Sequence, residues 1–283
     1  MPSRNHSIIQ LHSAVLLFGF AGLLGKLITE SPIVIVFGRT ALAASGLFLI
    51  LRYRRTISIP EQRRDIFGFI GLGMLLTFHW LSFFQSIKIS TVAIGLLTYA
   101  SFPVFVTILE SLIFHQRLKW PDMLLSVIVM IGLLIIVPEY TFSNTITLGV
   151  VWGVLSGFSF ALLTVINKVY ADTYSALNIA FYQNGIAALI LLPFALMIPK
   201  ALSVSDIGYI FLLGIFCTAL AHTLFIHSMR QIRAFTAGIA AGMEPVYGIM
   251  LALLILGEIP ALRTVIGGVI ILAVVGFVSC RSD

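Results

Sequence analysis

Ten runs of roughly twenty apolar residues follow one another along this chain, with little between them: residues 8–27, 33–51, 65–86, 90–114, 120–137, 146–168, 176–198, 205–229, 235–257 and 262–280. A bilayer core about 30 Å thick takes about 20 residues of helix to cross. Backbone polar groups there must be satisfied inside their own segment, so each run is read as a transmembrane helix. The runs consume about 200 residues of 283, and the longest polar stretch is Arg52 to Asp65, RYRRTISIPEQRRD. No soluble domain fits in what remains. The composition agrees, at 59% hydrophobic and 10% charged with a mean hydropathy of +1.09. Soluble domains are roughly 25% charged, so a soluble enzyme, a secreted disulfide scaffold and a disordered tail are all excluded. The first run lacks a small-x-small cleavage site before Lys26 and is followed by nine more, so it is expected to stay in the mature chain. Cys217 and Cys280 sit in apolar runs without ligand spacing and read as small packing residues.

Orientation follows from Lys and Arg, which favour cytoplasmic loops. With the N-terminus inside, the inner side holds Arg4, Arg52, Arg54, Arg55, Arg63, Arg64, Arg117, Lys119, Lys168, Arg230, Arg233 and Arg281. The outer side holds only Lys26, Lys88, Lys200 and Arg263. The expected topology is N-in, C-in. The net charge of +6 belongs to these loops and is no nucleic-acid footprint.

The halves of the chain resemble each other. SFFQSIK (82–88) matches LFIHSMR (224–230) and FPVF (102–105) matches EPVY (244–247), both at an offset of 142. Upstream, VFGRTALAA (36–44) matches AFYQNGIAA (180–188) at a slightly different offset. Two separate matches in one register favour duplication over the chance likeness of apolar segments. The expected repeats are 1–140 and 141–283, each of five spans. An odd number of crossings inverts the second repeat in the membrane. Such repeats place a binding site near the midplane between the halves and permit alternating access.

At these residues the chain resembles the EamA family of the drug/metabolite transporter superfamily. The resemblance is carried by FGRTALAA in the second span and AIGLLTYASFPVFVTILESLIF in the fourth. In the second half it is carried by AGIAAGMEPVYGIMLALLILGE in the ninth and GGVIILAVVGFV in the tenth. It covers nearly the whole chain. It implies an all-α integral membrane protein of ten transmembrane helices in two inverted five-helix repeats. The function implied is transport of small metabolites. The family's Gly-Glu pair near the end of spans four and nine is kept as Gly257-Glu258, but the first copy reads His115-Gln116-Arg117.

Ionisable groups inside hydrocarbon are costly, so each needs a reason. Glu244 lies about ten residues into the ninth span, near the midplane, directly before Pro245 and after the small residues AGIAAG. Proline frees the carbonyl four residues back, here Ala241, and weakens the helix. Glu244 reads as a solute-amine or proton site, or as a protonated packing carboxyl. His79 and Trp80 share a helix face with Leu76 and Phe83. That stripe suits a flat or cationic solute and equally suits packing. His222 matches Trp80 across the repeat and can exchange protons near neutrality. Arg39 stays charged inside the second span and must find a carboxylate, carbonyls or a solute anion. The resemblance implies a structural or gating role for it, beside direct solute contact. Tyr182, Gln183 and Asn184 occupy the matching region of span seven as polar glue or pocket donors. Tyr99 and Tyr247, near the two proline positions, are candidate pocket walls. Glu110 is expected to reach the headgroups or to pair with Arg117, Lys26 to pair with Glu258, and Lys168 to snorkel. Gly19, Gly22 and Gly25, Gly68, Gly71 and Gly73, and Gly267 and Gly268 are read as close-packing positions.

No Walker sequence, GxSxG or HExxH appears, so any pumping draws on ion or solute gradients. No cofactor or metal is expected. A proton is the natural coupling ion because Glu244, His79 and His222 titrate, and uniport fits as well. The leading expectation is a secondary transporter of the bacterial cytoplasmic (inner) membrane, as monomer or homodimer. It would export amino acids or related amine/carboxylate metabolites, and bind no nucleic acid. The alternatives are a flippase for a lipid-linked substrate and, further off, an intramembrane enzyme using Glu244 and His222 as acid and base.

Overall fold

In the computed structural model, the described residues are 4–60, 62–113, 120–138, 141–198, 202–232, 237 and 240–281. They form helices joined by short turns. These are α1 Arg4–Leu27, α2 Pro32–Arg54, α3 Arg63–Ile89, α4 Val92–Tyr99, α5 Phe102–Ile113 and α6 Trp120–Ile136. There follow α7 Thr145–Ala171, α8 Ala176–Leu196 and α9 Val204–Gly214, a π-helical segment Ile215–Leu220, then α10 Ala221–Ser228, α11 Glu244–Leu256 and α12 Leu262–Arg281. Among the described residues, seven stretches are long and apolar enough to cross a membrane: His6–Leu27, Pro32–Arg54, Arg63–Ile89, Val92–Ile113, Thr145–Ala171, Ala176–Leu196 and Val204–Ser228. Met123–Ile136, Glu244–Leu256 and Leu262–Val274 are apolar but shorter. The chain is thus an all-helical, multi-span membrane protein. Arg117, Lys119, Lys200, Arg233 and the His115-Gln116 pair lie outside the described residues.

Helix starts are set by short polar side chains. Thr91 accepts from the amide of Ile94, Asn144 from Ile146 and Thr147, Ser175 from Asn178, and Ser203 from Asp206. Each satisfies a first-turn N–H that has no carbonyl partner.

Two expected spans are not continuous. The fourth breaks at Ala100-Ser101, and the ninth at Gly242-Met243. Both restarts put a proline second in the new helix, Pro103 in α5 and Pro245 in α11. A proline has no N–H to give to the preceding turn and fits the first turn, where none is required. This corrects the expectation that Pro245 loosens a continuous helix at Ala241: Glu244 opens a new helix instead. The eighth span carries the π segment, in which Thr218 Oγ1 donates to the carbonyl of Leu213 at 2.7 Å.

The packing has a pattern. α3 lies against α7, and α10 against α1; α5 lies against α7, and α11 against α1; α3 lies against α8, and α9 against α2. The pairs α2·α8 and α6·α12 complete it. Exchanging each first-half helix for its second-half counterpart maps this set onto itself. α1 and α11 approach closely. A Cβ on Gly19 would stand 2.8 Å from Cβ of Tyr247, and one on Gly248 would meet the Gly19 carbonyl at 3.2 Å. α6 and α12 make a similar approach at Gly132 and Gly267, beside a second apolar cluster of Ile94, Leu97, Leu133, Ile136 and Ile271. The main core lies among α1, α2, α3, α4, α7, α8 and α10.

Candidate functional site

A cavity opens inside that core. It is lined by Phe18 and Ala21 of α1, Arg39 of α2, His79, Trp80 and Phe83 of α3, and Tyr99 of α4. Phe160 of α7, His222 of α10 and Glu244 of α11 complete the lining. All ten are buried. Its volume is ≈ 20 Å³, measured by the centres of water-sized spheres. One water needs about 10–15 Å³ on that measure, so the chamber has room for about one water.

Arg39 is held on two sides. Its Nε donates to Thr218 Oγ1 at 2.8 Å and its Nη2 to the Cys217 carbonyl at 3.3 Å. Both acceptors lie in the π segment, whose altered winding turns them toward α2. The guanidinium also lies 3.9 Å over the Trp80 ring and 5.2 Å from the Phe84 ring. A cation–π contact out of water is worth about 2 kcal/mol or more, part of the cost of burying the charge. Of the three partner classes expected for Arg39, a carbonyl is found, with a hydroxyl and an aromatic face beside it. Two hydrogen bonds leave donors of the five-donor fork for a solute. Among the described residues no carboxylate lies within 4 Å of Arg39. Glu244 lines the same chamber and is 3% exposed.

His79 Nδ1 is 3.1 Å from the Ser156 carbonyl and 2.9 Å from Ser156 Oγ. Ser156 thus holds the Nδ1 edge of the ring through both its carbonyl and its hydroxyl. The His79 ring stands 4.9 Å from Phe160 and 5.5 Å from Tyr99. Tyr99 stacks on Phe102 at 5.1 Å and meets Phe83 edge-on at 5.5 Å. His222 Nε2 hydrogen-bonds Gln183 Oε1 at 2.7 Å, and Gln183 Nε2 donates to Asn167 Oδ1. The Trp80 and His222 rings lie 5.9 Å apart.

Seven of the residues expected from the sequence therefore converge: Glu244, His222, His79, Trp80, Phe83, Arg39 and Tyr99. The other four stand outside the lining. Gln183 supports His222 from behind. Asn184 Nδ2 bonds the carbonyl of Ala180 in its own helix. Tyr182 donates to the Ser58 carbonyl at 2.9 Å and packs on Phe69, near the start of α3. Tyr247 packs α11 against α1. Sequence reasoning passed over Phe18, Ala21 and Phe160. The 142-residue offset relates Phe18 to Phe160 as it relates Trp80 to His222, and would have found that pair. Among the described residues no three of His, Cys, Asp or Glu gather closely enough to hold a metal ion.

Outside the chamber, the expected Lys26–Glu258 pair is present at 3.9 Å, and Glu258 also accepts the amide of Val92 at 2.9 Å. Gly257 takes a positive φ of 67° at the end of α11, a conformation that costs a Cβ-bearing residue. This turns Glu258 back onto α4. Glu110 is buried, while its expected partner Arg117 is outside the described residues. Lys168 does more than snorkel: it donates to the carbonyl of Met229 at 2.6 Å.

The model of the EamA-like transporter family matches this chain twice, over residues 6–137 and 147–280. The chain belongs to the EamA-like transporter family. A protein of Archaeoglobus fulgidus named as an uncharacterized transporter is 30% identical over 77% of this chain and 77% of its own length. A protein of Rickettsia conorii named as an S-adenosylmethionine uptake transporter is 25% identical, over 87% of this chain and 76% of its own. A solved crystal structure superposes with a TM-score of 0.73 at 18% identity, covering 98% of both chains. That likeness concerns the fold of this EamA-like chain.

Proposed function

We propose that this EamA-like transporter is a secondary transporter of the cytoplasmic membrane. Its solute is small and carries both an amine and a carboxylate. It moves by alternating access around the chamber of Arg39 and Glu244. The observation that carries the solute class is the placement of a guanidinium and a carboxyl on one enclosed space walled by aromatic rings, with no ion pair closing them on each other. Arg39 suits the solute's carboxylate. Glu244 suits its ammonium, and Trp80, Phe83 and Phe160 suit an apolar or cationic side chain. The relatives named for S-adenosylmethionine uptake support this class, since that solute bears an amine and a carboxylate.

In this reading ten spans run N-in, C-in, as two inverted repeats. The exchange symmetry of the helix pairings and the equal placing of the two breaks support it. Net movement is expected outward, and inward flux is the competing outcome. The test is a panel of amino acids, amines and S-adenosylmethionine, scored first for thermal stabilisation of purified protein and then for counterflow in proteoliposomes. A stabilising solute that exchanges across the vesicle is the expected result. If none stabilises or crosses under any gradient, while a chemical product accumulates, the transport reading is lost.

A further inference from the structure

Polar side chains at the two ends of the bundle repeat one design. At one end Lys26, at the close of α1, donates to the carbonyls of Ile87 and Ser90 at the close of α3, at 2.9 and 2.6 Å. Lys88 reaches back to the carbonyl of Ile28. Asp206, in the first turn of α9, accepts the amide and hydroxyl of Thr29 at 2.8 and 2.9 Å, fixing the α1–α2 loop. At the other end Lys168, near the close of α7, donates to the carbonyl of Met229 just past α10 at 2.6 Å. Arg230 reaches back to the carbonyls of Ala171 and Tyr174, each at 3.3 Å. Asp65, in the first turn of α3, accepts the Tyr174 hydroxyl at 2.6 Å, fixing the α7–α8 loop.

The offset of 142 that aligns the halves carries Lys26 onto Lys168, Ile87 onto Met229 and Lys88 onto Arg230. Asp206 and Asp65 correspond within one residue. The clusters occupy opposite ends, because α3 runs from Asp65 at one to Ile89 at the other, about 40 Å for 27 residues. The chamber lies between them. Trp80 and His222 each stand seven residues before the residue whose carbonyl accepts from the lysine of its own cluster, Ile87 and Met229. Phe18 and Phe160 each stand eight before its lysine.

We propose that these clusters are paired latches, one for each mouth of the chamber, and that transport opens one while the other stays shut. Lys26, Lys88, Asp206 and Thr29 form one, with Glu258 added on Lys26; Lys168, Arg230, Asp65 and Tyr174 form the other. They are positioning residues: none lines the chamber, and each acts by tying a loop and two helix ends. Most of the acceptors are backbone carbonyls, so a latch can part without stranding a buried counter-charge. Both sets of contacts are made in this structure, and the chamber between them has room for about one water. The purpose of the latches rests on the transport reading; their geometry does not.

The test is side-specific labelling. Ala21→Cys places a thiol on the chamber, in full-length protein with Cys217→Ala and Cys280→Ala. A membrane-impermeant thiol reagent is applied from each face of oriented vesicles. Thr29→Val removes one hydroxyl from the first latch, and Tyr174→Phe one from the second. Each is expected to raise labelling about three- to tenfold, from its own face only. A rise from both faces, from the wrong face or from neither overturns the proposal. A disulfide between Thr29→Cys and Asp206→Cys should stop solute flux and restore it on reduction; full flux with the bond formed also overturns it. Labelling needs no solute, so side-specific labelling without flux would count against the solute reading and leave the latches standing. Flux without side-specific labelling would do the reverse.

Discussion

At the level of single residues, Arg39 and Glu244 line one chamber without pairing. Arg39 is fixed by Thr218, the Cys217 carbonyl and the face of Trp80. Its planar fork is what those three partners fit, so Arg39→Lys keeps the charge but loses the stacking and the second hydrogen bond. Solute affinity should fall at least tenfold while the protein stays folded, read by binding and by melting temperature on the same preparation. Unchanged affinity would remove Arg39 from the solute's contacts. Glu244→Gln preserves size and removes the charge, so counterflow should be abolished or cease to depend on pH with the melting temperature nearly unchanged. Wild-type flux with wild-type pH dependence would leave Glu244 as packing. The sequence showed both residues because a charge in hydrocarbon is conspicuous. It did not show that they face one space without pairing, which depends on how α2 and α11 are each placed around the chamber.

Elements explain how those residues are aimed. The π segment of the eighth span has no signature in the apolar pattern, yet it supplies both acceptors for Arg39. Thr218→Val should remove the Nε acceptor and the bond to Leu213 together, lowering solute affinity as Arg39→Lys does. Affinity left intact by Thr218→Val would mean the π segment does not aim Arg39. The breaks at Ala100-Ser101 and Gly242-Met243 were only half legible: both prolines were evident, but proline within a span kinks a helix as readily as it starts one. The close approach of α1 and α11 makes a sharper expectation. Gly19→Leu forces side-chain volume against Tyr247 and should destabilise the protein by about 1–3 kcal/mol, seen as a lower melting temperature. The opposite result would mean the two helices separate freely.

Over the whole molecule the repeated register is the organising fact. It relates the breaks, the aromatic pair Phe18/Phe160, and the lysines that tie each end. It predicts that a reagent confined to one face modifies cysteines placed in the Thr56–Ile59 loop and near Tyr174, while those near Thr29 and Glu258 react from the other. Labelling of all four from one face would end the topology. Which of the two faces is cytoplasmic is carried by the Lys and Arg distribution alone.

The linear pattern of this chain was enough to determine a lipid-embedded helical bundle and to expose the repeated register and most of the charged residues worth attention, because apolar length and buried charge are one-dimensional signals. Only the tertiary structure decided that Gln183, Asn184, Tyr182 and Tyr247 stand outside the chamber, that Arg39 is held by the eighth span, and that basic side chains at each end bond backbone carbonyls of a neighbouring element. The reason is physical. Each of those facts depends on which face of one helix meets another and on backbone carbonyls, which every residue carries and no sequence pattern distinguishes.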